Sequence, residues 1–286
     1  MPVNYGDWSA TCDTLHAHSQ ILGKLATRLA PPEPQLQHAA LRLSARGIET
    51  LPLPAPSGSG AVVVALDLHS HEAVVERSDG PARRVPLTPN RSVAEVTRDV
   101  LAAVGDVDIG MTPQEVPWST PLDEDTEHAT YDVDAVAAYF ADATRAALVL
   151  AEVRAPYRGR STPVNFWWGS FDLAVSLFSG RPAAPPSDDF IWRNAGDAQQ
   201  IEIGWWPGDA RYPRAAFYGY AYPPVDAFAN GPNWNAELGE YVLDSDGVSR
   251  DAALDFCRSL VRRGCTACSW DPALAGSLDG TPPPIR

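Results

Sequence analysis

The sequence predicts an α+β fold made of two similar halves, each a helix, a mainly antiparallel β-meander and a closing helix. Three observations lead there. Apolar stripes at helical spacing recur in 11–30, 93–104, 132–153 and 250–263. Between them lie short alternating segments punctuated by Gly, Pro, Ser and Asp, as hairpins require. Strand, polar turn and closing helix then occur in the same order twice, as VPL with SVAEVTRDVL and as YVL with VSRDAALDFCRSL, which suggests an internal duplication. The boundaries fall at 1–111 for the first half, 112–131 for an acidic connector, 132–270 for the aromatic-rich second half and 271–286 for a flexible tail ending GTPPPIR.

In the first half, Leu15, Ile21, Leu22, Leu25 and Leu29 form the stripe of a helix over Thr11–Ala30, and Pro31-Pro32 ends it. His16, Gln20 and Lys24 share the opposite face, ordinarily a solvated one. Strands are expected at Ala39–Ser44, Ile48–Leu53, Ala61–Leu68, Ala73–Arg77 and Arg83–Leu87, with PAPSGSG a surface loop. Ser92 and Glu95 have the spacing of a capping box before the helix 93–104, Gly105 closes it, and Val107–Met111 reads as one more short strand.

In the second half, Asp132 caps a helix carrying Val136, Phe140, Ala143, Leu150 and Val153. Strands are expected at Val164–Trp168, Gln200–Trp206, Ala215–Tyr222 and Glu240–Leu243. Ser170 as N-cap and Gly180 as stop bracket a helix between them, although alternation of Phe171, Leu173, Val175 and Leu177 equally suits a strand; the bracketing favours the helix. The stretch 182–198 is a lid or an excursion. A last helix runs to Arg263 and stops at Gly264.

Composition bounds the function. A net charge of −14 without a basic cluster argues against nucleic acid and anionic membranes as partners. The longest apolar run, Ala61–Leu66, is too short to span a bilayer, the start MPVNYGDWSA lacks signal-peptide character, and four cysteines make no disulfide framework, so a cytoplasmic location is expected. Of 22 basic residues 21 are arginine; the single lysine, Lys24, marks a place for a compact, rotatable ammonium if codon usage alone does not explain it.

Residues 157–241 hold 18 of the 26 aromatic side chains. The motifs TLHAHSQILGK, LRLSARGIETLPLP, PVNFWWGSFDLAVSLFSGR, AFYGYAYPP and LGEYVL together resemble an uncharacterised bacterial family, a domain of unknown function of about this length. The resemblance covers nearly the whole chain and implies no catalytic role for any residue. Family members often carry an aromatic-rich Asn-His segment before the first strand; here it reads PQLQHAA, leaving only His38.

Several constellations have chemical potential. Ser170 lies where a nucleophile would sit at a strand-to-helix turn, but Trp168 and Asp172 replace the glycines of G-x-S-x-G, and a cap is the simpler reading. Tyr218, Tyr220 and Tyr222 alternate on one face of a strand, with Trp205 or Trp206 beside them and something bulky against Gly219. They form either an aromatic core or a pocket wall, and three buried phenols need three partners. His69 and His71 lack further metal ligands, and Cys265-x-x-Cys268 follows a helix end, the wrong place for a redox motif. Neither a metal nor a cofactor is expected. His128 lies near Tyr131 and Asp132 at a helix start, a candidate base or a local structural bond.

The leading expectation is a small-molecule pocket walled by Trp167, Trp168, Asp172, Arg181, Tyr218, Tyr220 and Tyr222, with Lys24 and Ser170 as further candidates. Arg181 would hold an anion or pair with Asp172. The alternatives are a hydrolase or transferase using His16 or His128 as base with Ser170 or a tyrosine, and an interaction module whose aromatics are all core.

Overall fold

Residues 4–275 are described by a computed structural model, and the GTPPPIR tail lies outside them. Helix α1 (Tyr5–Leu29) begins earlier than its apolar stripe and bends at Trp8. Leu15, Ile21, Leu22 and Leu25 are fully buried as the stripe requires, but so is Gln20 opposite them, and Lys24 on that face is nearly so. The face expected to be solvated is covered by the connector and by the second half.

A short 3-10 segment, Pro34–Ala39, occupies the place of the expected strand start, with His38 Nδ1 accepting from the Glu33 amide. Strands β1 (Arg42–Leu43), β2 (Gly47–Glu49), β3 (Leu53–Pro54), β4 (Ala61–Asp67), β5 (Glu72–Arg77) and β6 (Gly80–Pro86) make an antiparallel sheet of order β1-β2-β4-β5-β6, β3 pairing onto β4. The strand expected over Ile48–Leu53 is interrupted because the Thr50 hydroxyl, rather than a main-chain carbonyl, accepts from the Val64 amide, and Pro52 has no amide to offer. Helix α2 (Val93–Val104) has the full Ser92–Glu95 capping box. Residues 107–111 form no strand.

Helix α3 (Val133–Arg154) starts at Asp132, whose carboxylate accepts from the Asp134 and Ala135 amides. Then come β7 (Asn165–Trp167), β8 (Asp172–Pro182), the short helix α4 (Phe190–Ala195), β9 (Ala198–Trp206), β10 (Ala216–Tyr222), β11 (Trp234–Asn235) and β12 (Glu240–Asp244). The second sheet is antiparallel, in the order β11-β12-β10-β9-β8-β7. Helices α5 (Arg250–Ala267) and α6 (Pro272–Ala275) complete the described chain.

Two boundaries differ from expectation for a clear reason. Residues 172–182 are a strand, not a helix, because pairing on both sides of β8 outweighs a local serine cap; Leu173, Val175 and Leu177 then all reach the core. Helix α5 continues through Gly264 to Ala267, placing Cys265 inside the helix and Cys268 at its cap. Gly264 serves packing: a Cβ there would come within 2.5 Å of Ile201.

The fold is thus α+β, and both halves run helix, antiparallel sheet, helix. In the first sheet β3 pairs with β4 off the main path, and in the second β11 lies outside β12. The two sheets meet edge to edge through paired hydrogen bonds between Leu41 and Phe166 of 3.0 and 2.9 Å.

In the second sheet, odd-numbered residues of β8 and β9 (Leu173, Val175, Leu177, Ile201, Ile203, Trp205) pack beneath α3 and α5, and Leu260 of α5 fills the space over Gly219. The even-numbered face turns the other way, toward α1 and the 3-10 segment. That division positions the site.

Candidate functional site

A cavity of about 680 Å3 lies between the even face of the second sheet and the first half of the chain. Its floor comes from β8, β9 and β10; Lys24 and Thr27 of α1, the 3-10 segment, Glu115 of the connector, α4 and the start of β12 supply its walls. The cavity is therefore not confined to the aromatic-rich second half. Residues 182–198 contribute to it through the half-exposed Phe190 and Trp192.

The floor carries two carboxylates held in matching ways. Asp172 Oδ1 accepts from Ser170 Oγ at 2.5 Å, and its Oδ2 accepts from the Tyr218 hydroxyl. Glu202 Oε2 accepts from Ser176 Oγ at 2.7 Å, and its Oε1 accepts from the Tyr220 hydroxyl at 2.9 Å. Register explains the second set, since Ser176, Glu202 and Tyr220 are direct cross-strand neighbours. The first set needs a small residue. Tyr218 lies over Gly204, where a Cβ would come within 2.3 Å of its ring, and so reaches diagonally to Asp172.

Electrostatics follow from this enclosure. Burial, reinforced by the charges of Glu202 and Glu115, pushes Asp172 up to about 7 against the pull of the Ser170 and Tyr218 hydroxyls. Glu240 rises to about 7 through burial and the charges of Glu202 and Asp172, which Arg211 only partly offsets. Glu202 is raised by burial, against its three hydroxyl neighbours Ser176, Tyr220 and Tyr218. Glu115 is exposed into the cavity, yet the protein enclosing its other sides still raises it. Burial and these carboxylates push Tyr218 and Tyr220 well above the usual phenol range, so both stay protonated as donors.

On the opposite wall, Lys24 is 7 % exposed, and its ammonium lies 5.8 Å from the centre of the Trp168 ring. Burial lowers its pKa. Trp168 is fixed by a 3.0 Å bond from its Nε1 to the Ala39 carbonyl and lies against Gly23, where a Cβ would overlap the indole at 2.0 Å. The consecutive Gly23-Lys24 thus seats the indole and sets the ammonium beside it.

Of the residues singled out from sequence, Lys24, Trp167, Trp168, Ser170, Asp172, Tyr218 and Tyr220 line this cavity. Tyr222 shares the face but bonds the Ala184 carbonyl at 2.5 Å, beyond the lining. Arg181 neither lines the cavity nor pairs with Asp172. It lies past the register shift that follows Phe178, exposed, and donates to the Ser269 carbonyl at 3.2 Å. Ser170 is no helix cap but a turn residue between β7 and β8.

The histidines serve elsewhere. His16 Nε2 lies 2.9 Å from both the Trp168 and Gly169 carbonyls, which can only accept, so that nitrogen carries the proton and holds the β7–β8 turn. The ring stacks on Phe171, and burial lowers its pKa to about 4. His128 bonds through Nδ1 to Asp125 at 2.7 Å instead of engaging Tyr131 or Asp132. His69 and His71 have separate partners, the Ala45 carbonyl and the Tyr131 hydroxyl.

Sequence reasoning passed over Glu202, Glu240 and Glu115. Glu202 did leave a signal: in IEIGWW it is the lone acid between two isoleucines, on the same strand face as Trp206. Glu115 left none, because its place depends on the connector. Gln20 pins that connector through two 2.8 Å bonds to the Gln114 main chain.

An α+β protein with a polar, aromatic-walled cavity is the class this geometry defines. The chain belongs to the family of unknown function DUF5996, whose model matches residues 1–276. No curated protein and no solved structure matches it. No helix among the described residues is long and apolar enough to cross a membrane.

Proposed function

We propose that the protein binds a small organic molecule in the cavity between the even face of the second sheet and α1. The observation that carries this reading is Lys24. Lys24 is nine-tenths buried as a residue and its ammonium faces the cavity with a ring face as its only described contact, so a bound acceptor would recover the free energy of its partial desolvation. The cavity volume of about 680 Å3 falls in the range of small-molecule sites, and its mix of aromatic walls with a few convergent polar groups is typical of them. The reading carries a cytoplasmic location with it, in keeping with four unpaired cysteines.

Native mass spectrometry of the purified chain tests this directly. A small retained mass is expected on the natural chain and is expected to be lost from Trp168→Ala. If no mass is retained and no member of a metabolite library raises the melting temperature, the reading is wrong.

A further inference from the structure

Resting on that reading, the geometry points to a dipolar ligand: a cationic nitrogen on the Asp172–Glu202–Glu240 wall and an anionic group at Lys24. The acidic wall lacks a counter-ion. Asp172 and Glu202 each accept two hydrogen bonds, all four from neutral serine and tyrosine hydroxyls. Among the described residues no arginine or lysine forms an ion pair with Asp172, Glu202 or Glu240; Arg211, whose charge partly offsets that of Glu240, pairs with Asp209 at 3.2 Å. Hydroxyls orient a carboxylate without cancelling its charge, so the three acids repel one another across a shared cleft. Trp206 stands edge-on to Tyr218 with ring centres 5.5 Å apart, adding aromatic surface that favours a cation.

Lys24 supplies the second, independent observation. It is nine-tenths buried, lines the same cavity and reaches no carboxylate within ion-pair distance among the described residues. A lysine kept for structure would be expected to reach a carboxylate, since leaving both signs unpaired is the costlier arrangement. Here the ammonium belongs to α1 and the acids to the sheet, and the space between them is the cavity itself. A neutral polyol would satisfy the hydroxyl and carboxylate atoms but leave the charges on both walls uncompensated. A molecule carrying both signs answers both walls.

The test is isothermal titration of the full chain with ω-amino acids from β-alanine to 6-aminohexanoate, each matched to the alkylamine, alkylcarboxylate and alcohol of the same length. The best ω-amino acid is expected to bind at least about tenfold tighter than any of its three counterparts, as one added charged hydrogen bond at each end implies. Lys24→Met is expected to bring it to the level of the alkylamine, and Glu240→Gln to that of the alkylcarboxylate. Thermal melts check that both variants fold, with Lys24→Gln replacing Lys24→Met if needed. Equal binding of a single-charge or neutral probe overturns the dipolar assignment, as does rejection of every probe. If the natural chain still retains a native mass while rejecting them all, the cavity-binding reading stands and only the ligand class falls.

Discussion

The two faces of the second sheet are built from the same strands and obey opposite rules. On the odd face, Leu173, Val175, Leu177, Ile201 and Ile203 are wholly buried, and any apolar side chain of matching volume would serve. On the even face, Asp172, Ser176, Glu202, Tyr218 and Tyr220 form a polar network in which each hydroxyl has a specific acceptor. The first face provides stability at low chemical specificity. The second holds ionisable groups where water is scarce, which costs stability and is retained only if something else needs those groups. A strand period of two lets a single sheet do both.

Substitutions on each face separate the two roles. The largest effect is expected from Ile203→Ala, which opens a cavity in the odd face and costs about 2–5 kcal/mol; urea denaturation reads it directly, and a loss comparable to an exposed site would mean the odd face is not the core.

Asp172→Asn probes the opposite face through pH. In the fold Asp172 titrates near 7, against an ordinary 3.8. Between about pH 4 and 7 the folded chain keeps a proton the unfolded chain has released, so this group's contribution falls as pH rises through that window and is level above it. His16 works the other way: its pKa near 4 in the fold, against 6.5, makes stability rise from about pH 4 to 6.5. The slopes oppose each other in the natural chain. Asp172→Asn should remove a falling component of up to about 1.4 kcal/mol per pH unit, leaving stability to climb with pH, while His16→Gln should do the reverse. Chemical denaturation at a series of pH values distinguishes them, and unchanged slopes in both variants would refute the burial of these groups.

Gly204→Ala places a methyl where the Tyr218 ring lies and should cost about 1–3 kcal/mol. Adding Tyr218→Ala should relieve much of that cost, which a double-mutant cycle measures. Lys24→Met removes the unpaired ammonium and is expected to stabilise the ligand-free chain by about 1 kcal/mol, read as a higher melting temperature; a fall instead would give Lys24 a structural partner. The smallest effect, within about 0.5 kcal/mol, is expected for Arg181→Ala, exposed and outside the cavity.

Much of the fold was legible because it rests on local rules. The Ser92–Glu95 box, the Asp132 cap and the alternation of β9 and β10 needed no distant partner to be read correctly. Reading failed where tertiary pairing overrode a local signal, as when β7 and β9 drew the Ser170-to-Gly180 segment into the sheet. The same strand then carried Arg181 past its register shift and out of the site.

For the site, local periodicity fixes which side chains of a strand share a face. Tyr218 and Tyr220 had to lie together, because the strand period puts residues two apart on one face, whereas Asp172 joined them only once pairing with β7 and β9 made 172–182 a strand. Tertiary structure alone decided what stands opposite them. It brought Lys24 from α1 and Glu115 from the connector to the cavity and left the ammonium unpaired. Such placement depends on how two halves of a chain pack across more than a hundred residues, and no local periodicity encodes it.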